Sequence, residues 1–369
     1  FAFFSRAIIE TPGQLDWAPD IIHCNDWQTA LVPVYLLEEK YRIPQLGGAK
    51  TVFTIHNIEY QGRYGDQVLQ DVIGLDNFNE RLLAYHGDVN LMKGAIYAAD
   101  FVTTVSPTYA QELRTPFYAH GLDGVINQQS GKLEGILNGI DTALYDPATH
   151  PGLAANFTPR ALVKGKNQCK QALQQAVGLQ ENPDVPIIAC VSRLVGHKGF
   201  SLVTDSLQEI MGLDVQMVVL GTGDWQYEEA FRHAQGQYPG RFAAQITYSG
   251  PLSIMIYAGA DLFLMPSISE PCGLSQMIAM RFGTIPVVRE TGGLKDTVTP
   301  YNKFEGTGRG FTFANISAGD MTWVLREAVD LYYNNKKAWR GLQKESMTAD
   351  FSWDKSAKEY LELYRGLLR

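Results

Sequence analysis

The 369-residue chain is roughly twice the length of one ordinary α/β core, so two domains are expected. Its 45% hydrophobic and 19% charged residues are those of a folded globular protein and exclude a disordered one. The net charge of −8, with no basic run longer than Lys336-Lys337, argues against nucleic acid or an anionic membrane as the main partner, although a local cation pair can still hold a small anion.

The chain opens on Phe1-Ala2-Phe3-Phe4-Ser5-Arg6, which has neither a basic leader nor a cleavage site and reads as the interior of a helix. Short β-branched runs then alternate with amphipathic stretches, the pattern of a parallel α/β fold. The expected strands of the first part are Ile21–Cys24, Thr51–Ile55, Phe101–Val105 and Gly135–Leu137. A helical stretch from Trp27 to Glu38 follows the first of them, with Asp26 placed to cap it. After Asn138-Gly139-Ile140-Asp141 the rhythm breaks into a segment rich in Pro, Ala, Thr and His. A boundary is therefore expected near 144, with domains 1–144 and 145–349 and a terminal helix over 350–369.

The second part carries strand candidates Pro186–Val191, Val215–Leu220, Gln245–Tyr248, Asp261–Met265 and Ile285–Val288. Helical patterns lie between them at Leu202–Met211, Tyr227–Ala234 and Leu274–Phe282. In the tail, Asp350 or Ser352 would cap a helix whose stripe of Ala357, Tyr360, Leu361, Tyr364 and Leu368 should dock on apolar surface. No apolar run is long enough to span a membrane. Cys24, Cys169, Cys190 and Cys272 are too scattered for a disulfide framework or a structural zinc, which favours a reducing cytoplasm.

Five strand ends of the second part carry chemistry. Val191-Ser192-Arg193-Leu194-Val195-Gly196-His197-Lys198-Gly199 offers a planar guanidinium fork and a movable ammonium, a pair suited to a diphosphate, though two solvated surface cations would look the same. Gly221 and Gly223 in Leu220-Gly221-Thr222-Gly223-Asp224 allow close backbone approach to a ligand, or simply make a turn. Tyr248 would stack a base, or be a half-buried strand tyrosine. Met265-Pro266-Ser267-Ile268-Ser269-Glu270-Pro271-Cys272-Gly273-Leu274-Ser275 sets a carboxylate before a helix expected to start near Gly273. There Glu270 would accept from sugar hydroxyls, or only cap the helix. Val288–Asp296 adds a Gly-Gly turn. Together the ends describe a nucleotide-sugar pocket.

These residues resemble the ADP-glucose-using glycogen and starch synthases of bacteria and plastids. The resemblance rests on Ser192–Gly199, Tyr257–Ser267, Glu270–Gln276, Thr291–Val298, His23–Trp27, Thr54–Gly62, Thr104–Tyr109 and Leu137–Asp141, and it runs the whole chain. It implies a GT-B architecture: two Rossmann-like doubly wound domains facing a cleft, the second holding the nucleotide sugar. The implied reaction is a retaining, metal-free transfer of glucose to the non-reducing end of an α-1,4-glucan, with no cofactor beyond the ADP-glucose donor. Arg193 and Lys198 would hold the diphosphate and stabilise its leaving charge. Glu270 and the backbone at Cys272 and Gly273 would hold glucose hydroxyls, Leu274 and Ser275 would meet ribose and phosphate, and Tyr248 would stack on adenine. His56 would meet the transferring glucose, with Asp26 and Asn138 lining the cleft from the first domain. The bland alternatives are an N-cap for Asp26, a structural histidine for His56 and turn chemistry for Asn138.

Two departures stand out. Many related retaining transferases place a second glutamate eight residues after the first; here that residue is Ile278, as in the synthase branch. The family's opening strand and Lys-x-Gly-Gly turn have no counterpart, since Gly47-Gly48-Ala49-Lys50 has the wrong order and place. The first domain is therefore expected to be incomplete, with an apolar sheet edge left open. The 369 residues alone are expected to have little or no synthase activity. The alternative reading is an inactive glucan- or nucleotide-binding remnant. The residues do not separate ADP from UDP or fix the oligomeric state.

Overall fold

The computed structural model describes residues 1–75 and 80–369. Two compact units form, one of residues 1–137 with 356–369 and one of residues 138–355. The division thus falls upstream of the boundary expected at 144, and most of the terminal helix groups with the first unit.

In the first unit, strands β1 (Ile21–Asn25), β2 (Lys50–Ile55), β6 (Phe101–Thr104) and β7 (Leu133–Gly135) make a parallel sheet in the order β1-β2-β6-β7. Val52, Phe53, Thr54 and Ile55 are buried in succession, as expected of a parallel strand covered on both faces. The strand expected at Gly135–Leu137 lies upstream, at Leu133–Gly135. Sequence reading missed a small antiparallel sheet of β3 (Arg63–Gly65), β4 (Ala84–Tyr85) and β5 (Asp88–Asn90), whose strands are too short to show a period. The opening segment is helical over Ala2–Gln14. Phe3, Phe4 and Trp17, on this helix and just after it, remain exposed.

The tail helix, Trp353–Leu367, docks through only part of the expected stripe, Tyr360 and Tyr364, together with Ser356. Ser356 is buried and its hydroxyl donates to Leu137 O at 2.5 Å, and the Tyr364 hydroxyl lies 2.6 Å from His23 Nδ1. Tyr360 also packs on His23, while Ala357, Leu361 and Leu368 face solvent.

The second unit is built on a six-stranded parallel sheet in the order β10-β9-β8-β11-β12-β13. Its strands are β8 (Ile187–Val191), β9 (Gln216–Leu220), β10 (Phe242–Gln245), β11 (Leu262–Met265), β12 (Ile285–Arg289) and β13 (Phe311–Phe313). From β8 the chain runs outward through β9 to β10, then returns to the other side of β8 and runs outward again. The reversal lies between β8 and β11, and beyond the C-terminal ends of such a pair an open α/β sheet binds its ligand. Ile188, Cys190, Met217, Val219, Phe231, Phe242 and Leu264 belong to the core beneath it. Each large apolar side chain buried there contributes about 2–3 kcal/mol. The helical pattern at Leu202–Met211 is two helices, Phe200–Asp205 and Leu207–Met211, broken at Ser206, whose hydroxyl turns back to Leu202 O at 2.5 Å.

Under this sheet, helix Leu162–Val177 buries two lysines. Lys166 Nζ donates to Ala258 O, Phe282 O and Thr284 Oγ1 at 3.0, 3.1 and 2.7 Å, and burial lowers it to about 8. Lys170 Nζ pairs with Asp261 Oδ2 at 2.9 Å.

Candidate active site

The loops after β8 and β11, the two strands at the reversal, bring Lys198 and Glu270 together. Lys198 Nζ lies 2.9 and 2.7 Å from the two Glu270 carboxylate oxygens, and Ser267 Oγ donates to Oε2 at 2.9 Å. Glu270 is buried, and it forms this ion pair rather than a helix cap. The helix it precedes begins at Ser275 instead of near Gly273. Two backbone bonds tie the loops to each other, as Ile268 N and Ser269 N both donate to His197 O. Arg289, at the end of β12, is buried and donates to Ser267 O at 2.7 Å and Ile268 O at 2.6 Å, so it buttresses the carboxylate loop from below. Sequence reasoning passed over this residue. The available signal was an arginine ending an otherwise apolar buried strand.

The ends of β8, β9 and β10 enclose a pocket of about 270 Å³ lined by Arg193, Gly221, Tyr248, Ser253 and Tyr257 among others. The Arg193 guanidinium has no ion-pair partner among the described residues, so its charge is available to an anion. A Cβ at Gly221 would stand 1.8 Å from Ser192 O and one at Gly223 2.2 Å from Leu194 O. Both glycines therefore let the β8 and β9 loops cross, which Leu194 N to Thr222 O at 2.9 Å and Asp224 N to Leu194 O at 2.7 Å seal. Tyr248 does not end a strand: β10 stops at Gln245, and the ring stands 92% exposed on the following loop. Burial pushes the Tyr257 phenol up to about 12, against a hydrogen bond with Ser275 that lowers it.

Burial also pushes the Cys272 thiol up to about 12, opposed by a hydrogen bond with the Asn138 backbone. Asn138, expected on the first domain, thus belongs to the second unit and touches the Glu270–Ser275 loop. Gln276 Nε2 donates to Cys272 O and Gly273 O at 3.1 and 2.9 Å and holds the loop's carbonyls inward. Gly273 takes φ +73°, and Leu274 stays exposed at the head of the helix.

In the first unit, Asp26 and His56 meet at the ends of β1 and β2. Asp26 Oδ1 accepts from His56 N at 2.8 Å, and Asp26 caps no helix with its side chain. Its backbone stands at φ 56°, ψ −179°, a conformation that costs a non-glycine residue about 1–3 kcal/mol. Such an outlier is retained where the surroundings require it. His56 Nε2 lies 3.0 Å from Asn25 Oδ1. Behind this pair, His23 Nε2 contacts Thr54 Oγ1 at 2.6 Å. Burial, and secondarily the charge of His56, depress His23 to about 4.

The second of these α/β units carries a lysine–carboxylate pair and an arginine without an ion-pair partner on the loops at the sheet reversal, and the comparisons place such a chain among the glycosyltransferases of GT-B architecture. The family model described as starch synthase catalytic domain matches residues 1–128, and glycosyl transferases group 1 matches residues 173–340. The glycogen synthase of Streptococcus mutans is 49% identical over 370 residues, covering 100% of this chain and 77% of the relative. That of Desulforamulus reducens is 46% identical over 370 residues, with the same coverage. The solved catalytic domain of Starch Synthase IV from Arabidopsis thaliana, bound to ADP and acarbose, superposes with a TM-score of 0.90 at 39% identity, covering 100% of this chain and 76% of that one. The chain belongs to the bacterial glycogen synthase family.

Proposed function

We propose that the protein transfers glucose from ADP-glucose to the 4-hydroxyl at the non-reducing end of an α-1,4-glucan, with retention of configuration and without a metal or cofactor. The bond from the anomeric carbon to the β-phosphate oxygen breaks, and the acceptor oxygen bonds to the same carbon. The acceptor's hydroxyl proton leaves with ADP. The observation that carries the reading is the Lys198–Glu270 pair at the sheet reversal, on the same β8 loop that bears the unpaired Arg193. A carboxylate held by an ammonium fits sugar hydroxyls, and two cations on one loop fit a leaving diphosphate. The ADP in the Arabidopsis relative supports an adenine nucleotide.

In this reading Arg193 and Lys198 clamp the diphosphate, Glu270 and the backbone at Cys272 and Gly273 hold glucose, and Leu274 and Ser275 meet ribose and phosphate. Tyr248 stacks on adenine, and Gly221 and Gly223 bring backbone close to the nucleotide. Asn138 orders the Cys272 loop. The resemblance assigns His56 to the transferring glucose, with Asp26 setting its position. A cytoplasmic location is proposed with it: all four cysteines are buried and unpaired, and among the described residues no helix is long and apolar enough to cross a membrane.

The test is turnover by the full-length protein with ADP-glucose and UDP-glucose side by side, using maltoheptaose as acceptor. ADP-glucose should be used at least about 10-fold faster, giving products that an exo-acting α-1,4 amylase degrades. Equal or faster use of UDP-glucose overturns the donor assignment, and absence of longer glucans overturns the acceptor.

A further inference from the structure

The loop that carries Glu270 has little in its own backbone to hold it. Strand β11 ends at Met265 and the next helix begins only at Ser275. Pro266 and Pro271 stand inside this span and contribute no backbone N–H. The loop's buried backbone groups must therefore find partners on other elements. His197 O takes the N–H groups of Ile268 and Ser269, at 2.8 and 3.3 Å, and Gly293 N donates to Glu270 O at 3.2 Å. Arg289 takes the carbonyls: Nε donates to Ser267 O at 2.7 Å and Nη2 to Ile268 O at 2.6 Å. Its Nη1 donates to Ala314 O at 3.2 Å, one residue past the end of β13.

The residue type at this position matters. Ile285, Pro286, Val287 and Val288, the rest of β12, are apolar and buried, and Arg289 is itself only 4% exposed. A cation taken out of water there costs free energy that nothing within the strand offsets. A guanidinium presents donors fixed in one plane, so two successive carbonyls of the loop are held at a set spacing from the β12 end; an ammonium cannot impose that spacing. The consequences reach the ion pair by two routes. Ser267, whose carbonyl Arg289 holds, donates its hydroxyl to Glu270 Oε2 at 2.9 Å. Ile268, whose carbonyl Arg289 also holds, is bonded through its N–H to His197, the residue before Lys198. Lys198 Nζ in turn holds both oxygens of Glu270.

We propose that Arg289 is a positioning residue for glucosyl transfer: by fixing the carbonyls of Ser267 and Ile268 it sets where the Glu270 carboxylate stands against the donor's glucose. It rests on the reading that Glu270 holds that glucose. Misplacing such a group by about 1 Å can cost about 100-fold in rate. The same unit offers a comparator in Arg241, at the opposite end of the sheet. Its Nη2 donates to Met211 O, Leu213 O and Val215 O at 2.9, 2.7 and 3.2 Å, just ahead of β9 and β10, where it serves the fold alone.

Turnover of ADP-glucose on maltoheptaose and calorimetric titration of ADP, both with the full-length protein, test the role. Arg289→Met should lower kcat about 100-fold and Arg289→Lys, which keeps a cation at the carbonyls and should fold, about 10-fold. ADP, which has no glucose to place, should bind both variants within about 2-fold of wild type. Arg241→Lys should lower the melting temperature and leave kcat within about 2-fold. In a Glu270→Gln background either Arg289 substitution should cost no more than about 3-fold further, because the carboxylate it places is already gone. Wild-type turnover by both Arg289 variants, or the same loss with and without Glu270, overturns the role. ADP binding that falls in step with kcat would show that Arg289 only supports the fold, as Arg241 does. No turnover by the wild-type protein sinks the proposed reaction and this role together, whereas wild-type turnover with additive losses sinks this role alone.

Discussion

Replacing Lys198 by methionine separates what the Lys198–Glu270 pair does for stability from what it does for chemistry. Two unit charges about 4 Å apart at an effective dielectric of about 20 attract by about 4 kcal/mol. The two side chains are 17% and 8% exposed, so screening removes part of this and about 3 kcal/mol is left. Lys198→Met leaves the buried carboxylate with only Ser267 Oγ as a side-chain donor. In a unit the size of residues 138–355 that loss lowers the melting temperature by about 6–12 °C, at about 2–4 °C per kcal/mol. Glu270→Gln costs less, about 1–2 kcal/mol, because an amide oxygen still accepts from Lys198. The double variant should recover to within about 1 kcal/mol of wild type, since no charge is left unpaired. Calorimetry of the four proteins gives the coupling. Turnover should behave differently: all three variants should lose about 100-fold or more in kcat, because in the proposed reaction both groups act on the donor. Additive stability losses would refute the electrostatic reasoning, and recovery of kcat in the double variant would show that the pair is only structural.

Three further outcomes follow from the packing around the two sites. His23, about 4 in the fold against 6.5 unfolded, binds its proton less readily when folded, so its contribution is present above pH 6.5 and lost as pH falls toward 4. With a discount for partial exposure, this is no more than about 2–3 kcal/mol, and His23→Gln should flatten the acid limb of a urea-midpoint profile. Lys166, lowered to about 8 from 10.5, makes the unfolded chain the better proton binder between those values. Wild type should therefore gain stability relative to Lys166→Met as pH rises from 8 to 10, and a constant difference would contradict the burial argument. Gly199→Ala would put a Cβ 1.9 Å from Pro266 O at φ +74°, so soluble protein should melt several degrees lower with weakened ADP binding, and an unchanged melt would show that the two loops can part freely.

The parallel sheet of the second unit was legible because buried strands such as Ile187–Val191 write themselves as unbroken apolar runs. The loops that bear Arg193, Lys198, Gly221, Gly223 and Glu270 were legible because cations, glycines and a carboxylate follow those runs directly. β13 was not, since Phe311–Phe313 is too short to carry a period. The docking face of the tail helix was read in part: Tyr360 and Tyr364 of the expected stripe pack on His23, while Ala357, Leu361 and Leu368, equally apolar in pattern, face solvent. Tyr248 and Asn138 were misplaced as structure: a loop after β10 and a crossing into the second unit leave no local signature. The strained Asp26 and the buttress Arg289 depend on long-range contacts, which local pattern does not record.

The account turns on whether Arg193 and Lys198 hold a diphosphate. Titration calorimetry of ADP and AMP against wild type and Arg193→Ala isolates that contact, because only ADP carries the β-phosphate. ADP affinity should fall about 10- to 100-fold in the variant, the equivalent of one charged hydrogen-bonding group, while AMP binding changes little. Arg193→Ala protein that binds ADP as tightly as wild type would contradict the account.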